Sequence, residues 1–316
     1  MVDLNGRNLR ESLSKPMSSF QLNPAGVDGE YLECLNTAFG KWGDRRQFDW
    51  YYRRDTTFPP ADLLVFREHG KLAAGSGVTY RRVRLPDDEE MIVGIITGSW
   101  TLPEHRGKGL FSRLIERSRQ QAERKGAKLL LAFVTADNFS REHMRKVGSL
   151  LFPSFYLVST ESTPQPKARS ILEARQPDEK IIGEMFEKFI VSGKGAGRIA
   201  YPSASDFCAQ FFERPHETEV LMSGNGDFAV VEKRDEMNLV QLFLPHDEKN
   251  FFPDLLAHTL SQNRKLFAFT MHEETAGRGR DLGLLIKKGF LTVLPISSTV
   301  HLPARLTWKI ENGDRA

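Results

Sequence analysis

One strand–turn–helix passage constrains this chain more than any other. Met91-Ile92-Val93-Gly94-Ile95-Ile96 is an apolar, strand-like run. Leu110, Phe111, Leu114, Ile115 and Ala122 then recur at helical spacing. Between them, Ser99-Trp100-Thr101-Leu102-Pro103-Glu104-His105-Arg106-Gly107-Lys108-Gly109 holds a short turn with two glycines and two cations. Glycine lets the backbone approach a ligand closely, with N–H groups turned toward it. A helix that starts there adds free N–H donors and the positive end of its dipole. The arrangement suits a phosphate or pyrophosphate. Arg-Gly-Lys-Gly alone is a common surface turn. The nucleotide-triphosphate loop and the dinucleotide fingerprint both fit it poorly. The context is what counts. A second apolar strand (Leu129-Leu130-Leu131-Ala132-Phe133-Val134) follows, then Asn138, a short helix and Gly148.

This passage resembles the GNAT family of N-acetyltransferases. Their signature, Arg/Gln-x-x-Gly-x-Gly/Ala at a helix start, binds the pyrophosphate of acetyl-CoA. Arg106, Gly109 and Phe111 stand at its three positions, Phe111 in place of a small residue. The resemblance runs from about Tyr31 to Leu157. It implies the α/β acyl-CoA N-acyltransferase fold, a mixed, mostly antiparallel central sheet flanked by helices. It also implies acetyl-CoA as co-substrate, with Thr101, Leu102, Arg106, Gly107, Lys108, Gly109, Leu110 and Phe111 around it. Trp100 would line one side of a gap between two strands, and Phe133 to Thr135 the other. Asn138 stands at a pantetheine-contacting position, though capping the next helix would serve equally well.

The family's usual acid is a tyrosine four residues before the helix-ending glycine, and Met144 stands there. Tyr156, on the next strand, is the nearest replacement, and Glu104, beside the turn, the nearest base. The helix Phe48-Asp49-Trp50-Tyr51-Tyr52-Arg53-Arg54 lies where acceptors enter in this family. Trp50 and Arg53, with Trp100, are the expected acceptor contacts. Phe48 and Tyr52 read as core.

The order expected over 29–162 is α-α-β-β-β-α-β-α-β, preceded by a mobile arm over 1–28 and followed by a Pro-rich linker over 163–177. The order then repeats over 178–316, with helices at 178–190, 204–213, 250–262 and 280–288. Two tandem copies of the fold are expected. Phe243-Leu244-Pro245 corresponds to Thr101-Leu102-Pro103, and Leu285 to Phe290 resembles the family's helix-end motif. The second copy has lost its cradle. His246-Asp247-Glu248-Lys249-Asn250 offers no glycine, and it places carboxylates where phosphate charge would lie.

A net charge of +3 suits an anionic co-substrate, and no basic stripe with interleaved aromatics argues for nucleic acid. No apolar run reaches the ~18 residues of a membrane helix, and no apolar signal core opens the chain. Cys34 and Cys208 lack metal-like spacing, so no metal is expected, and they read as reduced thiols of a cytoplasmic protein. The leading expectation is transfer of an acetyl or other acyl group from acetyl-CoA to an amine of a small molecule, sugar or peptide, by a monomer or homodimer. A non-catalytic acyl-CoA-binding regulator is the alternative, as is an aminoacyl transferase of the cell-wall type.

Overall fold

The computed structural model describes residues 18–297, 300, 302–303 and 306–315. The first half comprises β1 (Ser18–Leu22), α1 (Asp28–Phe39), α2 (Arg45–Tyr52), β2 (Asp62–Glu68), β3 (Lys71–Arg84), β4 (Glu90–Thr101), α3 (Leu110–Arg124), β5 (Leu129–Thr135), α4 (Ser140–Lys146) and β6 (Leu150–Val158). The rest comprises β7 (Glu173–Arg175), α5 (Glu179–Ser192), β8 (Arg198–Ala200), α6 (Ala204–Phe211), β9 (Thr218–Met222), β10 (Phe228–Arg234), β11 (Met237–Leu244), α7 (Glu248–Ser261), β12 (Lys265–Thr270), α8 (Glu273–Asp281) and β13 (Leu285–Pro295). The fold is mixed α/β, and a single large sheet runs through both halves.

The sheet order is β1-β2-β3-β4-β5-β13-β6-β12-β11-β10-β9-β7, with β8 pairing β3. The two halves exchange their last strands. β13 pairs antiparallel with β5, Gly289 opposite Thr135, and with β6 on its other side. β6 in turn pairs with β12, Phe267 opposite Val158. One core spans the exchange, with Val93, Leu129 and Leu131 in the same hydrophobic cluster as Phe207, Phe211, Leu242 and Val293.

Three expectations change. Ser18–Leu22 is an edge strand on β2 rather than part of an arm, because Phe20 packs at a tilt against Phe66 with centroids 4.9 Å apart. The remainder of the expected arm, 1–17, lies outside the described residues. Part of 163–177 is fastened to the second half: Arg169 and Ser170 donate N–H bonds to Asp254, and Glu173–Arg175 pairs with β9. The helix expected over 280–288 ends at Asp281, near Gly283 with its φ of +79°, and Leu285 already begins β13. Gly289 is therefore a strand glycine. A Cβ there would lie 2.5 Å from the ring of Tyr156.

Each half contains a strand fork. β4 and β5 run parallel and pair only over Val93–Ile95 and Leu129–Leu131. β11 and β12 pair only over Met237–Leu239 and Lys265–Phe267. Beyond these points the strands diverge.

Candidate functional site

The first fork opens a cleft of about 970 Å³. Its lining comes from both faces of the sheet. Phe111, Ser112, Ala132, His143 and Met144 line it on the α3/α4 face, and Ala38, Phe39 and Trp42 on the α1/α2 face. The cleft therefore passes through the sheet.

The turn before α3 forms one end. Gly107 and Gly109 have φ of +79° and +71°, and no atom lies within 4 Å of where a Cβ would stand. Conformation rather than space requires glycine at these positions. Gly109 caps α3 without a side-chain bond. The N–H groups of Leu110, Phe111 and Ser112 thus begin a helix with no intrahelical partner, and all three residues line the cleft. Arg106 also lines it, its Nε donating to Thr101 O at 3.2 Å. An anionic phosphate group fits this end of the cleft.

Of the other expected residues, Trp100, Thr101 and Asn138 line the cleft. Asn138 also accepts the N–H of Ser140 at 2.9 Å, so it caps α4 as well. Leu102 and Lys108 do not line it. Leu102 packs into the α1/α2 cluster, and the Lys108 ammonium bonds Glu68 Oε2 at 2.9 Å. That ammonium is the main reason the Glu68 carboxyl is held below its ordinary range.

Four further expected residues also stand outside the cleft. Tyr156 is on β6, separated from β5 by β13, and it accepts from Arg315 Nη2 at 3.2 Å. Glu104 is solvent-exposed. Arg53 is paired with Asp28 at 2.6 Å. Trp50 is buried because α2 packs against the second half; the guanidinium carbons of Arg54 and Arg214 lie 4.0 and 4.3 Å from the centre of its ring system.

Sequence reasoning missed the α4 face. Phe139, Ser140 and His143 all line the cleft, at helical spacing i, i+1, i+4. His143 Nδ1 is 3.0 Å from Ser112 Oγ. His105 also lines the cleft, but its Nδ1 lies 2.8 Å from Glu68. Met144 is buried against Ile115 and Ala132. Phe39 and Phe139 are exposed aromatics bordering the cleft from α1 and from the start of α4.

The second fork is filled. Only about 80 Å³ remains there, lined by Phe243, Pro245, His272, Lys309 and Glu311 among others. The Phe243 N–H donates to Glu311 Oε2 at 3.1 Å, and Asn312 Nδ2 to Gln241 Oε1 at 3.0 Å. Burial pushes the Glu311 carboxyl up to about 7. α7, unlike α3, has a side-chain cap: Asp247 accepts the Lys249 N–H at 3.0 Å.

Residues 28–148 match the family profile described as an acetyltransferase (GNAT) domain. No curated protein matches the sequence. Three solved structures are similar in fold. A putative acetyltransferase from Pyrococcus horikoshii has a TM-score of 0.61 at 9% identity, over 96% of this chain and 98% of that one. A tandem GNAT protein from the clavulanic acid biosynthesis pathway has a TM-score of 0.58 at 12% identity, over 90% and 100%. A Saccharomyces cerevisiae N-myristoyltransferase with bound myristoyl-CoA has a TM-score of 0.62 at 11% identity, over 89% and 81%. Among the described residues no helix is long and apolar enough to cross a membrane, and no cluster of His, Cys, Asp or Glu is arranged to hold a metal.

Proposed function

We propose that this chain, whose residues 28–148 form a GNAT acetyltransferase domain, transfers an acetyl or longer acyl group from its coenzyme A thioester to an amine. One observation carries the reading. The cleft crosses the sheet at a strand fork, and one end is a side-chain-uncapped helix N-terminus preceded by two left-handed glycines. The N–H groups of Leu110 to Ser112, with Arg106, hold the pyrophosphate. The amine enters from the α1/α2 face, past Phe39 and Trp42. Only the first half binds the thioester.

In the reaction the amine nitrogen bonds to the acyl carbon, the carbon–sulfur bond breaks, and the proton lost by the amine balances the one gained by the thiolate. The His143–Ser112 pair supplies the thiolate proton, in place of the tyrosine whose position Met144 fills. A positioned acid or base of this kind contributes typically ~10²–10⁴-fold. The cradle disfavours the aminoacyl-transferase reading, because aminoacyl-tRNA brings no pyrophosphate of this kind. Met144 is the observation that favours a non-catalytic binder.

The test is release of free thiol from acetyl-CoA against a panel of amines, beside calorimetry of acetyl-CoA binding. Amine-dependent thiol release supports the enzyme. Binding without release with any amine would establish the binder. Absence of binding overturns both.

A further inference from the structure

We infer that Arg315 anchors the acceptor, and that the acceptor is an amine carrying a carboxylate, such as an amino acid. This deepens the proposed acyl transfer and rests on it. On the α1/α2 face the cleft is lined by Ala38, Phe39 and Trp42, and Phe133 stands at the fork. These side chains are uncharged, so they place an apolar body but cannot fix a charged group. Arg315 is not among the residues that line the cleft, but it lies directly against Phe133, which does. Its guanidinium carbon is 5.3 Å from the centroid of that ring, 4.8 Å from Tyr156 and 4.7 Å from Phe269.

Among the described residues the hydrogen-bond partners of this cation are neutral: Asn312 Oδ1 at 2.9 Å and the Tyr156 hydroxyl at 3.2 Å. Its Nε is buried without a hydrogen-bond partner among the described residues. The adjacent carboxylate is engaged elsewhere, since Asp314 accepts from Tyr201 and from the Glu311 N–H. Arg315 forms no ion pair among the described residues. Three aromatic rings hold the guanidinium in place, and a held guanidinium offers its fork of donors to a planar oxyanion. The Tyr156 hydroxyl accepts from Arg315 and helps to hold the guanidinium from outside the cleft. One cation matches the single charge of a carboxylate. The Arg106 end, with its helix N-terminus, is the place for phosphate.

The test compares free amino acids with their carboxamides in two measurements. In turnover, the wild type prefers the acids. Arg315→Met raises the KM of the best acid by about 10–100-fold, the range for loss of a charged hydrogen bond, and moves that of the matching carboxamide far less. Arg315→Lys restores part of the loss. Equal use of acids and carboxamides by the wild type, or equal loss of both in Arg315→Met, overturns the inference while leaving acyl transfer standing. The second measurement needs no turnover: the acids alone raise the melting temperature of the wild type, and Arg315→Met removes the rise. If no acid raises it, the acceptor assignment fails even where thiol release succeeds.

Discussion

Phe243 donates its backbone N–H to the carboxylate of Glu311, 3.1 Å away, at the place in the second half that Thr101 holds in the first. Thr101 faces an open cleft, whereas Phe243 faces a filled one. Calorimetry is therefore expected to give one acetyl-CoA per chain. Two per chain would show that the Glu311 segment yields its place to a ligand.

The burial of Glu311 makes stability depend on pH. Burial raises the Glu311 carboxyl to about 7 and Asp314 to about 6. The folded chain keeps these protons at pH values where the unfolded chain has released them. Their contribution is thus full below the unfolded values and disappears as pH rises through about 6 to 7. For Glu311 this amounts to about 3 kcal/mol. The melting temperature is expected to fall between pH 5 and pH 8. Glu311→Gln, which keeps an acceptor for Phe243, is expected to flatten that fall and to raise the melting temperature at pH 8.

The cradle glycines separate strain from charge. Gly109→Ala meets no atom but must hold a φ of +71°, which costs about 1–2 kcal/mol. Gly107→Asp adds a carboxylate to the same strain. Thermal shift by acetyl-CoA is expected to be reduced in Gly109→Ala and abolished in Gly107→Asp. An unchanged shift in Gly107→Asp would place the pyrophosphate elsewhere.

Turnover distinguishes the two proton-donor candidates. His143 lines the cleft and Tyr156 lies beyond β13. With a carboxamide acceptor, His143→Gln is expected to lower kcat by ~10²-fold or more. Tyr156→Phe should then stay within a few-fold of the wild type. The reverse order would return the acid to Tyr156.

Trp50 tests the contact between the halves. Trp50→Ala removes a buried ring flanked by Arg54 and Arg214 and is expected to cost about 3–5 kcal/mol. Chemical denaturation measures this, and the KM for acetyl-CoA should not change.

The legible parts of the sequence were local. The turn into α3 could be read because Gly107, Gly109 and the apolar stripe of α3 act within a few residues of one another. Trp50, Arg53 and Tyr156 do not line the cleft because long-range partners decide their surroundings: Arg214, Asp28 and β13. Nothing near Tyr156 in the chain signals that Leu285–Pro295 will lie between it and β5. His143 was legible in principle, since the helical spacing of Phe139, Ser140 and His143 marks one face.

The exchanged strands bear on how the chain is made. The cleft lies in the first half, yet the strand that flanks β5 there is β13, some 150 residues further along. A ribosome that has released β5 and β6 has not yet delivered the strand that belongs between them. The first half therefore cannot reach its final pairing before the second is synthesised, and contacts of such long sequence separation form slowly. During that interval β5 has an open edge, which is an invitation to pair with another chain. A fragment ending at the linker would keep every cradle residue and still carry that open edge permanently.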